Sequence, residues 1–374
     1  MKQLIKVVTL LSLWIGLAAP VVGSPDPVNT WVQTSTNMTS GADVGGFAFS
    51  PNYAVDHTVF AATYAGVFKS TDGGLTWWGC TSVLNQHFSS LAFSPNYASD
   101  HILIAGHSYG VRKTSDGGTT WPDINTDLPT ESRNILVVAF SPDYANDQTF
   151  FAGTRDSGLF KAADINAPHW TPAGSLPYSL NSRITSLVFS PGYAADQVIF
   201  VGSGLGDIRP GYGGGIYKSN DKGVTWTAVS AWLPEPSHRT VLTLVISPNY
   251  QNDHTVFAGL FAAGVYKSTD GGNNWVLLPG TRNLTIQSLV ISPNFAVDGT
   301  VFAGGSSACY LTTDGGNSWR TLNAGFGGYK NILTLAIPPN QINQPFNVFA
   351  GMLGDRVWQM LYQDLRIFLP LVIR

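Results

Sequence analysis

A segment reading "FSPNYAVDHTVFAATYAGVFKSTDGG" from Phe49 recurs from Phe93, Phe140, Phe189, Ile246 and Ile291, and in worn form, "IPPNQINQPFNVFAG", from Ile337. The copies are spaced 44, 47, 49, 57, 45 and 46 residues apart. A unit of this length cannot bury its apolar face alone, so successive copies must stack; a period of about 40 to 50 residues fits one four-stranded propeller blade per copy. Composition agrees. With 40 glycines, 22 prolines, 11 tryptophans and only 11% charged residues, the chain reads as many short strands joined by tight turns, and therefore as all-β.

Four strands, A to D, are legible in the fifth copy. "TVLTLVIS" alternates and then runs apolar as A, "TVFAGL" is B, "GVYKST" is C and "WVLLP" is D. The Ser-Pro after strand A stops it, because proline donates no ladder hydrogen bond and restricts the residue before it. Asp56, Asp100, Asp147, Asp196, Asp253 and Asp298 then fall in the A to B turns. A short carboxylate there accepts local backbone N–H bonds, so these are expected to be turn residues rather than calcium ligands.

Seven A strands begin near Val44, Ser89, Ile135, Ile184, Val241, Ile286 and Ile332, but the last copy ends at "RVWQMLY" without a D strand. "WVQTST" at Trp31 has the look of a D strand and precedes the first A strand. Placing it in the last blade closes the ring and removes the exposed sheet edges. The expectation is a single seven-bladed β-propeller of four-stranded blades over residues 30–362, closed by its N-terminal strand.

The segments "STDGGLTW", "TSDGGTTW", "SNDKGVTW", "STDGGNNW" and "TTDGGNSW", from Ser70, Thr114, Ser219, Ser268 and Thr312, resemble the Asp-box, or bacterial neuraminidase repeat, over nearly the whole chain. In that family the box is an architectural C to D turn on the face away from the usual active site. The resemblance implies turn clamps at Asp72, Asp116, Asp221, Asp270 and Asp314, and buried tryptophans at Trp77, Trp121, Trp226, Trp275 and Trp319. The third copy departs from the pattern with "AADINAPHW", which keeps Trp170 but loses the glycine pair, and the seventh has no box.

The same topology brings the B to C and D to A loops to the other, upper face. The residues opening the A strands are Asp43, His87, Asn134, Arg183, Thr240, Thr285 and Asn331, with Arg133, Arg239 and Lys330 one place earlier. Tyr64, His107, Tyr109, Arg155 and Phe261 are expected over the mouth from the B to C loops. Blade four adds a long loop, Gly202 to Gly215, carrying Asp207, Arg209 and Tyr212. Aromatic faces beside polar groups suit a sugar or a protein partner equally.

Asp-box propellers include sialidases, glycoside hydrolase family 74, sortilin-type receptors and the photosystem II stability and assembly factors, whose blade count this chain resembles most. A glycosidase needs two carboxyl groups flanking the bond; the candidates are Glu131, Glu235, Asp207 and Asp156, and none matches a family catalytic motif. The expectation is a binding or scaffold propeller for a protein or glycan, without cofactor or metal, with a glycoside hydrolase as the alternative. A formal charge of −3 gives no footprint for nucleic acid, and a monomer is expected.

Lys2 and Lys6 precede an apolar run from Val7 to Ala19 and small residues at Gly23 and Ser24, the layout of a secretory signal peptide over residues 1–23. A retained anchor is the other reading, and both place the rest of the chain outside the cytoplasm, secreted or at the cell surface. The apolar tail "LRIFLPLVIR" from Leu365, part of a separate segment over 363–374, is too short to span a bilayer as a helix and fits either packing or sorting. Cys80 and Cys309 fall in blades one and six, too far apart to bridge, so two unpaired thiols are expected.

Overall fold

The computed structural model describes residues 28–38, 43–174, 183–204, 214–230, 233, 240–328, 330–339, 341, 345–354 and 356–364. The leader, the tail from residue 365, Asp207, Arg209, Tyr212, Glu235 and Arg239 lie outside them.

Seven antiparallel blades surround an axis. Blade one shows the pattern: A is Val44–Phe49, B is Val59–Thr63, C is Gly66–Ser70 and D is Trp78–Gly79. The B strands are buried on both faces, since they lie between their own sheet neighbours and the adjoining blades. In blade two the D position shrinks to one bridge, Arg112 to Asp123. Blade seven takes Ile332–Ala336, Phe346–Met352 and Arg356–Tyr362 from the end of the chain, and Val32–Gln33 from its beginning. Val32 pairs with Gln359 and Gln33 with Trp358, so the ring is closed by the N-terminal strand.

The A to B connection is more ordered than a simple turn. Six of these segments form one helical turn, from Tyr53–Asp56 to Phe295–Asp298, each followed by a residue in the left-handed region such as His57 (φ 49°). The aspartate clamps it. Asp56 accepts the Ser50 hydroxyl at 2.6 Å and the Thr58 N–H at 2.8 Å, and the other five repeat this arrangement. The serine of each Ser-Pro is fully buried for this purpose.

The C to D turns follow the same logic. Asp116 accepts the N–H groups of Thr119 and Thr120 and the hydroxyls of Thr114 and Thr120. The Thr120 bonds above all hold its carboxyl down to about 2. Gly118 closes the turn at φ +96°, where an added Cβ would stand 2.9 Å from the Phe60 ring of the preceding blade.

Two devices join the blades. Indole Nε1 groups donate backwards: Trp77 to Thr34 O, Trp170 to Ile124 O, Trp226 to Ala173 O and Trp275 to Val229 O. Strand-C lysines reach forwards, as Lys69 to Gly117 O, Lys218 to Gly271 O and Lys267 to Gly315 O. Blade seven substitutes Gln359, which donates to Gly73 O of blade one. Cys80 and Cys309 are buried and unpaired. No helix among the described residues is long and apolar enough to cross a membrane.

Candidate functional site

Every A strand carries a β-bulge near its start, with one residue displaced from the A to B pairing: Gly45, Ser89, Leu136, Thr185, Leu242, Gln287 and Leu333. A bulge leaves one residue unpaired and re-aims its side chain. Here all seven line one cavity of about 580 Å³ at the upper end of the axis. The sequence reading missed this tier. Its trace was present, because these positions vary freely between two apolar positions that the copies keep.

A second tier surrounds the first. His87, Asn134, Arg183, Thr240 and Thr285 line the cavity from the openings of their A strands, whereas Asp43 and Asn331, expected in the same ring, do not line it. The third tier is the first residue after strand B: Tyr64, Ser108, Arg155, Phe261 and Ser306. A backbone bond fixes several of them over the mouth, with Tyr64 N donating to Asp43 O, Arg155 N to Asn134 O and Phe261 N to Thr240 O.

Two expectations in blade two need correction. His107 is 1% exposed and packs inside the blade against Phe88, with ring centroids 5.1 Å apart. It ends strand B, where side chains alternate, so the mouth position belongs to Ser108; a one-residue offset selects the opposite face. Tyr109 is exposed but lies outside the cavity lining. Asp156 and Glu131 are also exposed and outside it, Glu131 in the one-turn segment Thr130–Ser132.

The cavity is electrostatically lopsided. Blades two to four supply His87, Arg155 and Arg183, while the described residues opposite are hydroxyl, amide or apolar. Burial first, and then the Arg155 charge, lowers the pKa of both His87 and Arg183, with Asp43 and Asp156 respectively opposing. Tyr64 lies over His87 at a centroid distance of 3.8 Å. Arg183 Nε is buried with no hydrogen-bond partner among the described residues. No carboxylate is among the described lining residues, and no His, Cys, Asp or Glu group placed to hold a metal is found among the described residues.

Comparison with solved structures gives propellers. The extracellular domain of a one component system from B. thetaiotaomicron is similar over 91% of this chain and 41% of its own, at 14% identity and a TM-score of 0.66. YCF48 from Cyanidioschyzon merolae matches over 88% of this chain and 98% of its own, at 15% identity and a TM-score of 0.63. The GH74 enzyme of Niastella koreensis matches over 87% and 53%, at 20% identity and a TM-score of 0.62. At these identities the likeness is one of fold. A probable oligoxyloglucan-reducing end-specific xyloglucanase of Neosartorya fischeri is 36% identical over 67 residues, 18% of this chain and 8% of that protein. Residues 19–260 match the family model described as the DUF6242 beta propeller domain, and the chain belongs to that family.

Proposed function

We propose that this chain is an exported, non-catalytic binding propeller that receives a protein or glycan ligand in its upper mouth. The observation that carries the reading is the cavity itself. It is of ligand size, and all seven inner strands aim a bulged residue into it. Arginines stand beside the exposed rings of Tyr64 and Phe261, with no described carboxylate on the wall. YCF48, a propeller of similar fold, has been solved bound to D1 peptide, which supports a peptide-binding role for a propeller of this kind.

A glycosidase would need two carboxyl groups facing one bond. Glu131 and Asp156 do not line the cavity, so among the described residues the GH74 likeness brings no catalytic pair with it. The test is a glycan array, a peptide array and a panel of fluorogenic glycosides, each run with wild type and with the Tyr64→Ala, Phe261→Ala double variant. Binding without turnover, lost in the double variant, is the expected result. Turnover abolished by Glu131→Gln or Asp156→Asn would replace this reading with the hydrolase.

A further inference from the structure

Resting on the binding role of the mouth, we infer that its ligand presents a single carboxylate attached to an apolar body. Arg155 and Arg183 come from adjacent blades and line one cavity, and the Arg155 charge acts on Arg183. Arg183 is half-buried and Arg155 exposed at the same mouth; two like charges there repel, and a planar anion reaching both relieves that repulsion with charge-assisted bonds. Arg183 Nε, buried without an acceptor among the described residues, is a donor that a ligand oxygen would satisfy.

The head is singly charged because the rim already holds compensating charge. Asp156 acts on Arg183 and Asp43 on His87, both from outside the lining. A dianionic phosphate would meet those carboxylates with no further arginine or lysine among the described lining residues to balance it. The body is apolar because Leu136, Leu242 and Leu333 occupy three of the seven bulge positions, deeper than the arginine tier. Such a ligand is either a free organic acid or the C-terminal residue of a peptide, and both offer the same carboxylate and side chain.

Calorimetric titration of the purified protein tests this with N-acetyl-leucine, N-acetyl-leucinamide, inorganic phosphate, and an N-acetylated hexapeptide ending in leucine as acid or amide. We expect the acids to bind at least about tenfold more tightly than the matching amides. Arg155→Gln and Arg183→Gln should each erase that preference, with Arg183→Lys intermediate because it keeps the charge and loses the fork. Unchanged thermal midpoints without ligand show that these variants fold. A hexapeptide tighter than N-acetyl-leucine assigns the chain end as the source, and equal affinities assign the free acid. Equal binding of acid and amide, or acid binding indifferent to both arginines, overturns the carboxylate while leaving the mouth as a binding site. Tighter binding of phosphate than of N-acetyl-leucine also overturns it. Array ligands that bind the Tyr64→Ala, Phe261→Ala variant undiminished would instead remove the mouth reading itself.

Discussion

Trp31 Nε1 donates to the carbonyl of Leu322 at 2.8 Å, across 291 residues of sequence. This is the backward indole bond of blades one, three, four and five, made here by the residue before the first described strand to the end of blade six. Trp121 instead donates within its own turn, and Trp319, expected to be buried, is half-buried with no Nε1 partner among the described residues. Trp31 is 2% exposed and stacks on Phe326 at 4.7 Å. Gly325 makes room: at φ +93°, an added Cβ there would lie 2.0 Å from Trp31 O. Trp31→Ala is expected to cost about 3–5 kcal/mol through the cavity and the lost bond. Gly325→Ala should unlatch the same joint by pushing the strand away. Urea denaturation checks both, and midpoints equal to wild type would mean that the ring does not depend on this latch.

The A to B clamps predict a graded series. Asp298 is 8% exposed and accepts the Ser292 hydroxyl at 2.6 Å and the Thr300 N–H at 2.8 Å. Asp298→Ala leaves both donors unsatisfied in a dry site and should cost about 2–3 kcal/mol. Asn keeps an acceptor for Thr300 but offers Ser292 an N–H in place of an oxygen, so Asp298→Asn should fall between. The same midpoint measurement applies, and an Asn variant as damaged as Ala would show that the charge, rather than the bond count, holds the turn.

How far the sequence reaches is visible in blade two. The 44-residue spacing from Phe49 to Phe93 locates the blade, and the Ser-Pro and Asp100 locate its turn. Those features are local: a proline or a short carboxylate acts on its own neighbours. The helical turn at Tyr97–Asp100 was not legible, because the aspartate's bonds are compatible with several turn geometries. Neither was the exchange of His107 for Ser108, since facing depends on a bulge that shifts the ladder between Phe88 and Ser90. Lys69 shows the third kind of miss. Its acceptor, Gly117 O, belongs to the next blade, so nothing within its own copy reveals the bond.

Both thiols should be silent in the native protein. Cys80 is 7% exposed, and burial pushes its thiol up to about 11, against the nearby Lys69 charge; Cys309 is fully buried and pushed further up. Ellman's reagent at pH 8 is expected to find no reactive group until guanidinium is added, and then both cysteines. An intact mass unchanged by reductant completes the test. Rapid native labelling would show that blades one and six open locally.

His107 makes the blade sensitive to acid. Neither ring nitrogen has a hydrogen-bond partner among the described residues, and the Asp123 carboxylate is 3.8 Å from Nε2. Burial first, and then the Arg112 charge, lower its pKa from 6.5 to about 4, with Asp123 opposing. Between those values the unfolded chain holds the proton and the folded one does not. Stability therefore falls as pH drops from 6.5 toward 4 and levels off below, by up to about 3 kcal/mol from this group alone. His107→Phe keeps a ring against Phe88 and removes the titration. Relative to wild type it should gain stability steadily from pH 7 to pH 4.5, whatever its effect at neutral pH. A constant difference across that range would show that the imidazole takes up its proton in the fold over the same pH range as in the unfolded chain, and so is not held neutral by burial.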